Sequence, residues 1–151
     1  MPQTIEGTLS ARGLRFAIVA SRFNGLIVEP LIAGALDAIV RSGGEADAVT
    51  IVRCPGAWEL PQVVRKVIAR GGVDAVIALG AVIRGETYHF EVVANESASG
   101  ITMVALDSGV PVANGILTTE SDDQAMARVS QKGADCALAA IEMANLLKHI
   151  E

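Results

Sequence analysis

Short apolar runs alternate with amphipathic stretches along the whole chain. Apolar runs with the length of buried strands occupy residues 15–21, 48–52, 75–80 and 110–117. Apolar positions recur at helical spacing in residues 26–40, 60–68, 90–106 and 134–147, and a further helix is expected to open at Ser121-Asp122-Asp123. The pattern therefore predicts strands and helices that alternate from one end of the chain to the other.

Strands joined by helices of this length predict right-handed crossovers and a parallel sheet covered on both faces. This arrangement is a three-layer α/β fold, and because no linker or repeat interrupts it, we expect one domain over residues 1–151. The segment Thr4–Leu9 could form an extra strand, but no helix separates it from the next strand. Ligands of open parallel sheets bind outside the carboxyl ends of the strands, so the four loops that follow the strands are the candidate sites.

Composition and charge exclude several function classes. The longest apolar run, residues 75–83, has nine residues, whereas a membrane helix needs about 20. Lys and Arg total 12 against 17 Asp and Glu, and no basic cluster is longer than Arg65-Lys66. We therefore expect neither a nucleic acid nor a membrane as partner. The first residues lack the basic and apolar regions of an export signal, which predicts a cytoplasmic protein.

The metal-binding residue types are few. The two cysteines, Cys54 and Cys136, form no CxxC motif and lie in apolar surroundings, so we expect reduced, buried structural thiols. The only histidines are His89 and His149, from which one chain cannot build a multi-histidine metal site. No metal is therefore expected.

Aromatic residues are concentrated after the predicted strands. Of the five in the chain, four lie in or beside these loops, namely Phe23, Trp58, Tyr88 and Phe90. Aromatic faces gathered at one sheet edge suit a flat heterocyclic ligand. They would equally suit a plug for the end of the core or a subunit interface, and their clustering does not choose between these interpretations.

The loop from Gly80 to Phe90 carries the most chemistry. Its glycines, the Thr87 hydroxyl and the free amides at a helix start favour an anion site. His89 follows directly and could transfer protons near neutral pH, although a lone histidine is more often a structural hydrogen-bonding residue. Glu59 could bind a ligand or complement a helix dipole, and Arg128 and Lys132 could be ordinary surface charges.

Four strings of residues resemble the 6,7-dimethyl-8-ribityllumazine synthase family. They are Ser21-Arg22-Phe23-Asn24, the stretch from Pro55 to Pro61, the stretch from Gly80 to His89, and the stretch from Gly115 to Glu120. The similarity continues in order from Ile5 to Leu146. It implies a flavodoxin-like subunit and the penultimate step of riboflavin synthesis, in which 5-amino-6-(D-ribitylamino)uracil condenses with 3,4-dihydroxy-2-butanone 4-phosphate and releases phosphate and water. No cofactor is implied.

The resemblance also implies roles for individual residues. Phe23 would stack on the pyrimidine, while Ala57, Trp58 and Glu59 would hold the ribityl chain. The main chain of Ala81, Val82 and Ile83 would meet the pyrimidine edge, with Asn114 and Lys132 near the same substrate. The phosphate would be bound by Gly85, Glu86 and Thr87, together with Arg128 from a neighbouring subunit. His89 would transfer protons. Because a carboxylate repels phosphate, we expect Glu86 to contribute its backbone N–H.

Family members form pentamers with active sites between neighbours, and some pack into sixty-subunit shells. The resemblance thus implies a homopentamer, a Thr4–Leu9 strand added to an adjacent subunit's sheet, and riboflavin synthase as a partner. This chain departs from the family at two places: Asn114 stands where an aromatic residue is common, and the stretch from Arg128 to Gly133 is several residues shorter than usual.

Three other functions share parts of this pattern. A non-catalytic flavin or lumazine binder would keep Phe23 and Trp58 but would not need His89. A flavodoxin-like electron carrier would need a small, hydroxyl-rich phosphate loop after the first strand, for which Ser21-Arg22-Phe23-Asn24 is too bulky. A structural shell protein would make the loop chemistry incidental.

Overall fold

Four parallel strands form the sheet at the centre of the molecule. A computed structural model describes residues 1–150. The strands are β1 (Phe16–Ser21), β2 (Val49–Cys54), β3 (Ala75–Ile83) and β4 (Val112–Thr119). They pair in the order β2-β1-β3-β4, and every pair is parallel. This is the strand order of flavodoxin-like folds without a fifth strand, so the α/β prediction is confirmed.

Helices cover both faces of the sheet. They are α1 (Gly25–Arg41), α2 (Leu60–Arg70), α3 (His89–Ser108), α4 (Asp122–Met126) and α5 (Val129–Ile150), with short 3-10 turns at Ala46–Ala48 and Ala57–Glu59. Side chains of β1 alternate between two apolar clusters. Phe16, Ile18 and Ala20 face α1 and α5, whereas Ala17 and Val19 face the layer of α2 and α3. The inner strands β1 and β3 are consequently buried on both sides, as the continuous apolar runs predicted.

Strand β3 is longer than its sequence pattern predicted. Residues 81–83 were expected in a loop, but they continue the ladder with β4, which itself extends to Thr119. Ala81 pairs with Leu117 and Ile83 with Thr119. The apolar run has no polar residue to end it, and the paired growth of both strands satisfies their backbone groups. The post-strand loop therefore begins at Arg84.

Helix α5 begins five residues before the predicted start at residue 134. Gly133, which precedes the predicted start, lies inside α5 and contacts α1. A Cβ placed on Gly133 would come within 2.4 Å of the Leu31 carbonyl oxygen. Close packing of α5 on α1 therefore outweighs the low helix propensity of glycine at this position.

The N-terminal segment is not a strand within the described chain. Residues 1–10 run along the last turns of α5 without regular secondary structure. The Asn145 side-chain amide donates to the carbonyl oxygens of Thr8 and Ser10, both at 2.9 Å. His149 Nδ1 lies 3.0 Å from the Glu6 carbonyl oxygen. The segment is thus anchored on one side, and most of its residues are exposed on the other.

Candidate active site

A cleft of about 560 Å³ opens at the carboxyl ends of the strands, against the start of α3. This volume lies within the range of small-molecule sites. Eight of the residues singled out in the sequence line it: Phe23, Ala57, Trp58, Glu59, Ala81, Val82, Ile83 and His89. Asn24, Gly56, Val92 and Val93 complete the wall. The loops after β1 and β2 and the end of β3 therefore meet in one place.

Two exposed aromatic rings stand at this cleft. The side chains of Phe23 and Trp58 are 57% and 53% exposed, respectively, so neither ring plugs the core. The backbone N–H of Phe23 donates to the Pro55 carbonyl oxygen at 2.9 Å, which joins the first loop to the second. Gly56 lies against the Phe23 ring, and a Cβ at this position would come within 2.6 Å of Phe23 Cδ2. The close fit holds the ring with one face available to a planar ligand.

The other two aromatic residues of these loops, Tyr88 and Phe90, do not line the cleft. Tyr88 is largely exposed and does not line the cleft. Phe90 is partly buried against the apolar cluster of α2 and α3, and the Arg84 guanidinium lies 4.4 Å from its ring centroid. Phe90 therefore packs against the core, whereas the exposed rings of Phe23 and Trp58 are open to a ligand or to a second subunit.

Asn24 connects the first loop to the end of β3. It is the one non-glycine residue with positive φ among residues 1–150, a conformation that asparagine tolerates well. Its side-chain amide donates to the Ala81 carbonyl oxygen at 3.1 Å. On the other side of β3, the Arg84 N–H donates to the Thr119 carbonyl oxygen at 2.9 Å.

These two bonds set the direction of the backbone groups between them. In a parallel strand, the N–H and C=O of one residue point to the same neighbour, and successive residues alternate. The backbone of Ile83 therefore faces the same side as that of Ala81, beyond the end of β1, while Val82 faces β4. Ile83 presents free backbone groups toward the cleft, and Val82 lines it with its side chain.

Glu59 is anchored beside the aromatic rings. One of its carboxylate oxygens accepts a hydrogen bond from the Gly56 N–H at 3.0 Å, while the Glu59 N–H donates to the Gly56 carbonyl oxygen at 3.1 Å. The carboxylate thus supports a turn, as the helix-start interpretation predicted. Its second oxygen has no hydrogen-bond partner within the described chain.

The loop from Gly85 to Tyr88 presents backbone donors at the start of α3. Within residues 1–150, no hydrogen-bond acceptor engages its four amides, and all four residues are exposed. The Thr87 hydroxyl oxygen accepts from the His89 N–H at 3.4 Å, so its own O–H is free to donate. His89 opens the helix and lines the cleft beside this loop. The arrangement suits a bound anion next to an imidazole.

Arg84, the arginine next to this loop, is already paired with carboxylates. Arg84 binds the Glu91 carboxylate, and its Nε lies 2.6 Å from a Glu120 carboxylate oxygen. The hydrogen bond from Arg84 lowers the pKa of Glu91 below its ordinary value. With Glu86 also exposed on the loop, carboxylates outnumber the local cation. A bound phosphate therefore needs positive charge from elsewhere.

Six predicted site residues do not line the cleft: Gly85, Glu86 and Thr87 form the loop beside it, and the other three, Arg128, Lys132 and Asn114, belong to other elements. Arg128 follows α4 and donates from Nη1 to the Gln124 carbonyl oxygen at 2.6 Å, with no carboxylate within 4.0 Å in the part of the chain described. Lys132 is half-buried in the first turns of α5. Asn114 is exposed on the edge strand β4, five positions before the end of that strand. None of these three residues lines the cleft of its own chain.

Both cysteines are buried, as expected. Burial raises the pKa of the Cys54 thiol to about 11 and also raises that of Cys136. Cys54 lies at the end of β2, and its thiol approaches the Gly56 carbonyl oxygen at 3.7 Å. Neither thiol has the depressed pKa of a nucleophilic cysteine.

Two further site residues were not predicted from the sequence. The sequence motif assigns no role to Asn24, although an asparagine just before a helix is a known signal for a helix cap or a left-handed turn. Arg84 carries no sequence signal, because only its tertiary ion pairs distinguish it from other exposed arginines. Among residues 1–150, no three His, Cys, Asp or Glu residues come together as a metal site. None of the helices described is long and apolar enough to cross a membrane.

Comparison with known proteins gives a consistent result. A model of the family described as 6,7-dimethyl-8-ribityllumazine synthase matches residues 13–148. The protein of that name from Chlorobaculum tepidum is 53% identical, over 98% of this chain and 98% of its own length. The protein of that name from an Azoarcus species is also 53% identical, over 97% of this chain and 94% of its own. A third, from Chlorobaculum parvum, is 52% identical.

Proposed function

Since this chain belongs to the 6,7-dimethyl-8-ribityllumazine synthase family, it is an enzyme of riboflavin biosynthesis, and we propose how its residues divide the work of the condensation. The reaction joins 5-amino-6-(D-ribitylamino)uracil to 3,4-dihydroxy-2-butanone 4-phosphate. A planar pyrimidine with a polyol chain must therefore lie beside a small phosphorylated ketone. The cleft offers an aromatic face and, next to it, an anion loop with His89 between them.

The ribitylaminouracil occupies the half of the cleft lined by Phe23 and Trp58. The pyrimidine stacks on the exposed Phe23 ring, and the free backbone groups of Ile83 meet its polar edge. The ribityl hydroxyls bind the backbone of Ala57 and Trp58 and the free oxygen of Glu59. Support comes from the exposure of both rings and from the anchoring of Glu59 through Gly56.

The butanone phosphate occupies the loop at the start of α3. Its phosphate accepts from the amides of Gly85, Glu86 and Thr87 and from the Thr87 hydroxyl, where the helix dipole also favours negative charge. The unpaired state of these amides and the exposure of the loop support this placement. The side chain of Glu86 points away from the phosphate, because a carboxylate there would repel it.

His89 transfers the protons of the condensation. When the substrate amine attacks the ketone, the resulting hydroxyl must gain a proton to leave as water. Removal of a proton from the adjacent carbon then lets phosphate depart. An imidazole between the two substrates serves both steps and contributes about 10²–10⁴-fold. Holding the two substrates in register supplies much of the remaining acceleration.

The phosphate half is completed by a second subunit. Arg128 is the cation it contributes, because Arg128 is exposed, has no carboxylate partner within the described residues and does not line its own cleft. Asn114 and Lys132 of that neighbour lie near the pyrimidine. We extend the proposal to a homopentamer in the cytoplasm, in which Thr4–Leu9 adds to an adjacent sheet. Assembly into a sixty-subunit shell and association with riboflavin synthase extend it further.

The single observation that carries the proposal is the cleft itself, with eight predicted residues in one wall. The first test mixes the purified protein with both substrates and follows lumazine absorbance and phosphate release. Acceleration over the spontaneous condensation is expected. A non-catalytic flavin or lumazine binder would show no acceleration while still binding the product.

The shared cleft is tested by mixing two impaired variants. His89→Ala removes the proton carrier, and Arg128→Ala removes the neighbour's cation. If each site combines His89 of one subunit with Arg128 of another, random co-assembly restores both groups in about a quarter of the sites. Activity after co-refolding should therefore exceed that of the separate variants. No recovery in a mixed oligomer would place both residues in the same chain's site.

A further inference from the structure

Arg84 lies where the ends of three secondary-structure elements meet. It directly follows β3, its guanidinium binds Glu91 in the first turn of α3, and its Nε binds Glu120 just after β4. Its backbone N–H also donates to the Thr119 carbonyl oxygen at 2.9 Å. One side chain therefore joins the end of β3 to both neighbouring elements.

The segment that Arg84 closes is the anion loop. Arg84 immediately precedes Gly85, and Glu91 lies two residues after His89. The ion pair between Arg84 and Glu91 thus bridges the two ends of the loop that carries the free amides and His89. The guanidinium also lies 4.4 Å from the centroid of Phe90, a ring packed against the apolar core. The planar group is held by two carboxylates and a ring at once.

Arg84 is also connected to Arg128 through Glu120 and Gln124. Glu120, which binds Arg84 through its carboxylate, donates its backbone N–H to the Gln124 side-chain oxygen at 2.8 Å. The carbonyl oxygen of Gln124 in turn accepts from Arg128 Nη1 at 2.6 Å. A continuous series of hydrogen bonds therefore runs from the anion loop to the arginine that serves a neighbouring site.

We propose that Arg84 is a positioning residue for phosphate binding, which holds the loop from Gly85 to Thr87 in the conformation that aims its amides at one point. The inference rests on the proposed function, because that function puts the phosphate at this loop. Arg84 does not touch the substrate. Arg84 acts in two ways. It fixes the loop from Gly85 to Thr87 directly, and it restrains Arg128 through Glu120 and Gln124.

A positioning role and simple electrostatics predict opposite changes in the KM of the butanone phosphate for one variant. Glu91→Gln removes a negative charge near the phosphate, so electrostatics alone would strengthen phosphate binding and lower the KM of the butanone phosphate. It also replaces the charge-assisted bond that ties Arg84 across the loop with a weaker bond to a neutral amide oxygen. If positioning dominates, the KM rises instead, by about threefold to tenfold, while the KM of the ribitylaminouracil stays within twofold.

The arginine itself gives the larger effect. Arg84→Gln is expected to raise the KM of the butanone phosphate at least tenfold. Arg84→Lys keeps one charge but cannot bridge two carboxylates in a plane, so it should recover only part of the loss. The control is Arg41→Gln, since Arg41 also pairs with a carboxylate, Asp37, but on the exposed surface of α1. It should leave both KM values unchanged.

Binding of inorganic phosphate, measured by calorimetry on the assembled protein, separates the two proposals. The positioning role is supported if phosphate affinity is highest in the wild type, lower in Arg84→Lys and lowest in Arg84→Gln. If the protein shows this order but makes no lumazine, the positioning role stands and only the proposed function fails. If the wild type makes lumazine but Glu91→Gln binds phosphate more tightly and Arg84→Gln changes neither KM nor affinity, the positioning role is overturned. Urea unfolding of each variant should stay close to wild type, because exposed ion pairs contribute little stability.

Discussion

The two halves of the cleft differ in how much of each a single chain builds. In the proposed site, one chain supplies most of the pyrimidine half: Phe23 is held by Pro55 and Gly56, Glu59 is held by Gly56, and Asn24 joins the first loop to β3. Only Asn114 and Lys132 come to this half from the neighbour. The phosphate half has donors but no spare cation, since Arg84 is paired with two carboxylates. Folding therefore preorganises most of the first subsite, whereas the second lacks its cation until subunits assemble.

The difference follows from where each half lies in the sheet. The pyrimidine half stands over β1 and β3, whose side chains are buried on both faces, and it also takes Trp58 and Glu59 from the loop after the edge strand β2. The phosphate half lies toward β4, an edge strand with exposed residues. An open edge is where a second subunit can approach, and a site placed there can take a residue from it.

His89 lies at the boundary between the halves, and its replacement should give the largest effect. We expect His89→Ala to reduce kcat about tenfold to a hundredfold while both KM values change little, because proton transfer is lost and binding is not. His89→Asn, which keeps a hydrogen-bonding side chain, should lose a similar amount. Steady-state rates with each substrate varied in turn measure this. Unchanged turnover would remove His89 from the mechanism.

Replacement of Arg128 should affect the phosphate half alone. Arg128→Ala is expected to raise the KM of the butanone phosphate about tenfold, the loss of one charged hydrogen bond. The KM of the ribitylaminouracil should stay constant, as should both values in Arg41→Ala. The same kinetic series measures all four constants. An unaltered phosphate KM would contradict the placement of Arg128, and equal changes in both KM values would contradict the division into halves.

Replacement of Phe23 should affect the pyrimidine half alone and by less. Aromatic stacking contributes about 0.5–1.5 kcal/mol beyond the buried area, so Phe23→Ala should raise the KM of the ribitylaminouracil roughly threefold to tenfold. Phe23→Tyr keeps the ring face and should behave like wild type. Titration with the uracil substrate alone checks the effect without turnover. If the butanone phosphate is weakened instead, the two substrates occupy the opposite halves.

The two halves also differ in how far the sequence predicts them. Apolar runs predicted all four strands, because local pattern determines them. The aromatic residues after the strands drew attention to the pyrimidine half, but their clustering did not choose between a ligand site, core packing and a subunit interface. The roles of Asn24 and Arg84 come from contacts between elements distant in the sequence, which periodicity does not reveal. The early start of α5 likewise depends on Gly133 packing on α1. The extension of β3 to Ile83 depends on growth of β4 beside it.

The last prediction, which expects no change in turnover, concerns the buried base of the pyrimidine half. Burial raises the pKa of Cys54 to about 11, whereas a thiol in the unfolded chain ionises near 8.5–9. Below the pKa of the unfolded chain, the Cys54 thiol is neutral in both the folded and the unfolded protein. As the pH rises further, the unfolded chain loses its proton first, and the folded state becomes less stable by ~2 kcal/mol near pH 11. Urea unfolding of wild type and Cys54→Ala between pH 8 and pH 10.5 measures the difference, to which Cys136 contributes equally in both proteins. The alanine variant should lose less stability over this range at unchanged kcat. Parallel curves would mean that water reaches the thiol, and the pyrimidine half would then lack the rigid, dry base that preorganises it.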